Sequence, residues 1–257
     1  MPSPYKDIPH DEWQEVTRQL VEKHPLKLDV IRKVAVQCWV TLWHTSIGEG
    51  ETAIPLADID VPATVIGYFF ERLFGRELEL KFPGLWRGGR SKDEKDLVCL
   101  TDAAYSIEMK SSGQLGTKIF GNRSYNQRAK DEGHVVKAEK SGYYITVNFY
   151  GQALTLLRFG WIDLDDWKPQ GAQTGQAATL PSYVYDLKLV EIPGSYRLAS
   201  PVGLLSGGGP SKVESFAREG VETVGQLLDY QGSDRTISKF KEQAAQYGQT
   251  SSKSERA

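Results

Sequence analysis

The sequence predicts an α/β fold in which helices lie against a mixed central sheet. Two observations predict it. The first third carries apolar residues at three- and four-residue steps, the mark of amphipathic helices, and the middle of the chain carries β-branched and aromatic runs separated by short turns.

The helical pattern begins at Asp11, which precedes Glu12 and Trp13 and reads as a helix start. The apolar series Trp13, Val16, Leu20 ends at His24-Pro25, where proline disfavours continuation. Val30, Ile31, Val34, Cys38 and Leu42 define a longer second helix, closed by the segment Ser46 to Gly50. A third helix follows Val61-Pro62, with Ile66, Phe69, Phe70 and Leu73 facing inward and Gly75 as its stop. The segment Pro83 to Arg90 is rich in turn residues and reads as a loop.

Strands begin beyond it. Asp96 to Leu100 and Tyr105 to Lys110 flank Thr101-Asp102-Ala103-Ala104 as a first hairpin, and Tyr143 to Tyr150 and Ala153 to Ile162 flank Gly151 as a second. The tail from Gly248 to Ala257 is dominated by serine and charge and is expected to be disordered.

Composition narrows the possible functions. With 257 residues, 40% hydrophobic and 25% charged, the chain is expected to form one globular domain with room for a small appendage. No stretch approaches the roughly 20 apolar residues that span a bilayer. The polar start from Met1 to Pro9 lacks the apolar core of a signal peptide, so a cytoplasmic protein without membrane attachment is expected. Cys38 and Cys99 lie in apolar runs and read as buried thiols; with four scattered histidines they form no zinc-binding pattern. The net charge of -2 excludes a protein that coats nucleic acid by overall positive charge, but it leaves room for a local basic groove. Between Lys110 and Lys140, seven basic residues stand against Asp131, Glu132 and Glu139.

The run Ile107-Glu108-Met109-Lys110 concentrates the chemistry. Residues two apart on a strand share a face, so Glu108 and Lys110 project together and Met109 points away. The preceding strand offers Asp96 as a second carboxylate. One register of the hairpin sets Asp96 opposite Glu108, another opposite Lys110, and a register shifted by a single residue sends it to the wrong face. Asp102, near the turn's tip, is too far along the strand to join them. Two carboxylates and a backbone carbonyl, here that of Met109, suit Mg2+, which keeps several waters and takes few protein oxygens. The ion would activate water and neutralise a phosphoryl group, and Lys110 would orient the water or stabilise the extra negative charge. The pattern therefore points to phosphodiester hydrolysis with Asp96, Glu108 and Lys110 as catalytic residues.

The run Tyr105 to Ser112, followed by Ile119-Phe120-Gly121-Asn122-Arg123-Ser124-Tyr125, resembles the ScaI-type restriction endonucleases of the PD-(D/E)xK nuclease superfamily. Gly142 to Phe149, Leu156 to Asp163 and Thr174-Gly175-Gln176-Ala177 resemble the same family in the same order, so the likeness covers about residues 90–190. The superfamily's proline before the first acid is replaced here by Lys95. The resemblance implies a PD-(D/E)xK nuclease-like mixed sheet flanked by helices over residues 1–195. It also implies a Mg2+-dependent type II enzyme that cuts double-stranded DNA at a short palindrome, as a homodimer whose two-fold axis matches the site. A prokaryotic cytoplasm and a cognate DNA methyltransferase as genetic partner go with that activity. Related nucleases add a helical glutamate to the metal site, and Glu71 is the candidate. Asn122, Arg123, Ser124, Tyr125, Gln127 and Arg128 supply donors for phosphates and base edges.

Leu204 to Val213, continued by Phe216 and Gly220 to Leu228, resembles a helix-hairpin-helix over residues 196–230, which makes a small helical C-terminal element, with a helical to disordered tail over 231–257. Gly207 and Gly209 would let the backbone present free amides to a DNA phosphate, assisted by Ser211 or Lys212. Gly208 stands where an apolar anchor is usual, which suggests a looser turn. Two other readings share these features: a repair or mobile-element nuclease that recognises DNA structure, and a DNA-binding protein with a decayed nuclease site.

Overall fold

A computed structural model describes residues 2–121, 140–169 and 178–248 of the protein. It divides into two compact units, one of residues 1–112, 118–147 and 157–192, the other of 113–117, 148–156 and 193–257.

The first unit opens with helix α1 (Trp13–Lys23), entered through a 3-10 turn at His10–Glu12. Asp11 does not cap the helix as its position suggested: it lies inside that turn, and no side chain caps α1. The helix ends where His24 turns extended, with ψ 135, ahead of Pro25. Helix α2 (Leu28–Trp43) buries Ile31, Val34, Ala35, Cys38, Trp39 and Leu42, the three- and four-residue series of its sequence. A short exposed pair, β1 (Ser46–Ile47) and β2 (Ile54–Pro55), leads to helix α3 (Ala63–Lys81).

Gly75 does not stop α3. It lies mid-helix on the buried face with Ile66, Gly67, Phe70, Phe74 and Leu78, whereas Phe69 remains 46% exposed. The reason is tertiary: a Cβ at Gly75 would lie 2.9 Å from the Cα of Gly88, so glycine is what lets the helix close on the sheet. Gly88 ends β3 (Trp86–Gly88), a strand inside the stretch whose glycines read as a loop.

Strands β4 (Leu97–Cys99) and β5 (Ile107–Ser112) follow, then β6 (Phe120–Gly121), β7 (Gly142–Tyr150), β8 (Ala153–Ile162), β9 (Lys168–Pro169), β10 (Ala178–Thr179) and β11 (Leu189–Glu191). The mixed central sheet runs in the order β11-β8-β7-β5-β4-β3, and β6, β10 and β9 form a small second sheet. Gly151, at φ 53, opens the two-residue turn between β7 and β8, whose bounds match the runs in the sequence except that β7 begins one residue earlier, at Gly142. Both strands are buried along almost their whole length, as central strands covered on two faces must be.

Two polar groups tie the N-terminal helices to this sheet. His24 is fully buried; its Nδ1 accepts from the Leu26 amide at 3.1 Å and its Nε2 lies 3.1 Å from the Tyr105 carbonyl, with the rings of Tyr143 and Phe159 packed on it. Burial holds its pKa below the usual histidine range, so the imidazole is neutral. Lys188, 2% exposed, donates to Asp163 at 2.9 Å and Asp166 at 2.8 Å beneath the rings of Tyr5 and Trp13, a charge admitted to the interior because it is fully paired. Both cysteines are buried free thiols.

The second unit has its own core of Val202, Leu205, Phe216, Val221, Val224, Leu227, Ile237, Phe240 and Ala244. These come largely from helices α4 (Pro210–Arg218), α5 (Val224–Asp229) and α6 (Arg235–Gly248). Thr223 and Gln226 close a capping box at the start of α5. The segment before the glycine turn is a single 3-10 turn, Val202–Leu204, in place of a full first helix. The turn itself is tight: Gly208 donates to the Leu205 carbonyl at 2.9 Å, and a Cβ there would lie 2.9 Å from the Val202 carbonyl oxygen. An apolar anchor has no room at that position, which corrects the expectation of a looser turn. Gly207 takes φ +78, Gly209 caps α4 with Pro210 as its first residue, and Ser211 and Lys212 follow in the first turn. The Lys212 ammonium lies 4.9 Å from the Phe240 ring centre.

Candidate active site

The site is built on the pairing of β4 with β5. Leu97 pairs with Ile107, antiparallel, so the register sets Asp96 opposite Glu108. The turn between the strands holds a 3-10 turn, Ala103–Tyr105, capped by Asp102, whose carboxylate accepts from the Ala104 amide at 2.9 Å. Asp102 is thus a structural cap. Asp96 lies one residue before β4 begins, and its carboxylate accepts from the Met109 amide at 2.7 Å, standing in for a ladder partner.

Along β5 the side chains alternate as expected: Ile107 and Met109 are buried, and Glu108 and Lys110 share the opposite face, 18% and 19% exposed. The Lys110 ammonium donates to Glu108 at 2.7 Å and to the Met109 carbonyl at 2.9 Å. Burial works against its charge, but Glu108 and then Asp96 outweigh that effect and hold its pKa above the usual lysine range. Ser111 and Ser112 continue the strand two residues beyond the run Tyr105 to Lys110 marked in the sequence.

Helix α3 brings Glu71 to the same place. Gly67, Glu71 and Gly75 are spaced four apart and so lie on one helix face. A Cβ at Gly67 would lie 2.1 Å from Ser111 Oγ on β5, just as one at Gly75 would meet Gly88 on β3. Glycines above and below therefore press the turn that carries Glu71 against the sheet. Burial first and the Asp96 carboxylate second push Glu71 up to about 7, and burial first and the Glu108 carboxylate second push Asp96 up to about 6. Glu71, Asp96, Glu108 and Lys110 thus feel one another electrostatically. Among the described residues, no three His, Cys, Asp or Glu side chains stand close enough to enclose an ion.

Of the other candidates, Asn122, Arg123, Ser124, Tyr125, Gln127 and Arg128 lie outside the described residues, as does Thr174 to Ala177. Gly207, Gly209, Ser211 and Lys212 belong to the second unit. The sequence reading missed Arg72, which donates to the Gly89 carbonyl at 2.7 Å and connects α3 to the strand end beside Asp96. The signal for it was the Gly67, Glu71, Gly75 spacing, which marks the face of α3 that approaches the sheet.

A mixed sheet flanked by helices, with acids and a lysine on adjacent strands at its middle, is the architecture of the restriction-endonuclease-like nucleases. The family model described as ScaI restriction endonuclease matches residues 3–193. A curated relative, the type II restriction enzyme ScaI of Streptomyces caespitosus, is 35% identical over 198 residues, covering 74% of this chain and 84% of that protein. The chain belongs to the ScaI restriction endonuclease family, and it is a restriction endonuclease. No solved structure matches it.

Proposed function

We propose that this endonuclease hydrolyses phosphodiester bonds of double-stranded DNA at a short palindromic site, as a homodimer and with Mg2+, using Asp96, Glu108 and Lys110. The observation that carries this reading is the β4–β5 register, with Asp96 opposite Glu108 and Lys110 bonded to both Glu108 and the Met109 carbonyl.

The donor set fits a hard divalent cation. Asp96, Glu108 and the Met109 carbonyl supply oxygens on one side, with Glu71 as an additional carboxylate, and the raised pKa values of Asp96 and Glu71 mark negative charge crowded in a desolvated place. Mg2+ bound there would lower the pKa of a water and offset charge on the phosphoryl group. In the metal-free protein Glu108 and Asp96 favour the charged form of Lys110, and in the reaction its ammonium orients the water or stabilises negative charge building on the phosphate oxygens. Asp96, held by the Met109 amide, fixes the position of the carbonyl that follows it on β5. Asn122, Arg123, Ser124, Tyr125, Gln127 and Arg128 are assigned to DNA contact by their donor chemistry. The turn Gly207–Gly209, with Ser211 and Lys212, is assigned a sequence-independent phosphate contact.

The proposal includes action in a prokaryotic cytoplasm beside a cognate methyltransferase; no helix among the described residues is long and apolar enough to cross a membrane. Plasmid digestion with Mg2+ tests the nuclease reading. Discrete fragments are expected, and Glu108→Ala or Lys110→Ala should abolish them while duplex binding in Ca2+ persists. Preference for branched DNA would support a repair nuclease instead, and absence of cutting by the unaltered protein would support a DNA binder. Retained cutting in either variant would overturn the residue assignment.

A further inference from the structure

Next to the site, on the outward side of α3, stands a group of arginines that the proposed mechanism does not use. Arg72 and Arg76 are four residues apart on one helix face, 48% and 63% exposed, and Arg90 follows β3 at 72% exposed. Arg76 reaches Glu79 at 3.4 Å and Arg90 reaches the same carboxylate at 3.6 Å, so two guanidinium groups share one acid. Arg72 lies 3.8 Å from Glu71 and under 5 Å from the exposed ring of Tyr68, at 4.9 Å. The nearby Arg87 is not part of this excess, because Glu94 binds it at 2.5 Å.

The group is held at a fixed place relative to the site. Arg72 follows Glu71 directly and donates to the Gly89 carbonyl; Gly89 in turn donates to the Asp96 carbonyl at 2.8 Å, and Glu94 accepts from the Arg90 amide at 2.7 Å. Two residues of the candidate site, Glu71 and Asp96, are therefore the immediate chain or hydrogen-bond neighbours of the segments that carry the arginines. Exposed guanidinium groups in excess of their acids, fixed beside carboxylates that need a phosphate brought to them, match the charge and the acceptor chemistry of a polyanionic backbone.

We propose that Arg72, Arg76 and Arg90 form a phosphate-binding rim that seats the DNA backbone beside the cleaved phosphate. The role rests on the nuclease reading above and adds a contact surface to it. Glu79 tempers the rim: it holds two of the arginines in the absence of DNA and competes with phosphate for them.

The test is the salt dependence of binding to a fluorescein-labelled duplex of about 30 base pairs and arbitrary sequence, followed by anisotropy in EDTA. Each phosphate contact contributes about 0.9 to the slope of log K against log salt, so Arg76→Ala with Arg90→Ala should reduce the slope by about 1.8 for each protomer seated on the duplex. For lines that meet near 1 M salt, that is roughly 60-fold weaker binding per protomer at about 0.1 M. Glu79→Gln should act in the opposite direction, tightening binding several-fold, which loss of structure would not do. A double variant with the wild-type slope, or a Glu79→Gln variant that binds no tighter, overturns the rim. The slope is read without cleavage, so the two readings fail separately. A wild-type protein that cuts no DNA in Mg2+ refutes the nuclease reading, and an unchanged slope in a protein that does cut refutes the rim alone.

Discussion

Replacing Gly75 by alanine sets two magnitudes against each other. In an exposed helix interior the change is favourable by about 1 kcal/mol, because alanine has the higher helix propensity. Here the new Cβ would lie 2.9 Å from the Gly88 Cα, a backbone atom with no rotamer to give, and ordinary contact begins at 3.4 Å. The helix must therefore retreat by about 0.5 Å, and overpacking of this kind costs about 1–3 kcal/mol. The net expectation is a loss of up to about 2 kcal/mol, seen as a fall in Tm of a few degrees for a chain of this size. The functional loss should be larger in proportion. Glu71 sits one turn along the same face, and displacement of about 1 Å can cost ~100-fold in rate, so single-turnover cleavage should fall by roughly tenfold. Gly67→Ala is the internal comparison: its Cβ would meet the Ser111 hydroxyl, which can swing aside, and lie 3.3 Å from the Ser111 Cβ, a milder approach than that of Gly75 to backbone, so it should cost less. A Gly75→Ala protein that melts higher than wild type and cuts at the wild-type rate would refute the close-packing argument.

Two pH profiles follow from the buried groups. Asp96 and Glu71 carry folded-state pKa values raised to about 6 and about 7, so the unfolded chain loses these protons first, and stability of the metal-free protein drains away as pH rises from about 4 to 7. Each tenfold displacement of a proton equilibrium is worth about 1.4 kcal/mol. Urea unfolding in EDTA should show Glu71→Gln gaining on wild type between pH 5 and pH 8, and parallel profiles would sink the assignment. His24 has the opposite sign: its folded pKa is depressed, so below about pH 6.5 the unfolded chain takes up a proton that the fold refuses, and stability falls as pH drops. His24→Gln should lose part of that acid-side slope in melts between pH 7.5 and 5.5, and an identical slope would show that another group is responsible.

What could be read in the sequence is what depends on near neighbours. The alternation of Ile107, Glu108, Met109 and Lys110 gives the two faces of β5 directly, and the long apolar runs of β7 and β8 give the bounds of the central strands. The partner of Asp96 was legible only as a choice of registers, because a capped 3-10 turn between the strands, rather than a simple hairpin loop, fixes the pairing. Gly75 and β3 were misread for one shared reason. Glycines that look like punctuation along the chain are here the contact between a helix and a strand, and that contact is tertiary. The arginine pair on Glu79 was invisible for the same cause, since Arg90 reaches α3 only through the fold.

The assembly of the second unit bears on how this chain can be cut or recombined. Its residues 113–117 and 148–156 fall inside the stretch that matches the family, while 193–257 lie almost wholly beyond the match at 3–193. The Tyr247 hydroxyl, near the end of α6, donates to the Thr155 carbonyl at 2.7 Å on β8, and Arg197 donates to the Tyr247 carbonyl at 3.4 Å. A stop codon placed at the family boundary would thus leave a strand carbonyl without its donor and the 113–117 segment without the residues it clusters with. Grafting the C-terminal stretch onto another nuclease would carry the same difficulty in reverse, because one part of its partner surface stays behind in the donor's central hairpin. The useful seams for chimaeras in this protein run through space and not along the chain.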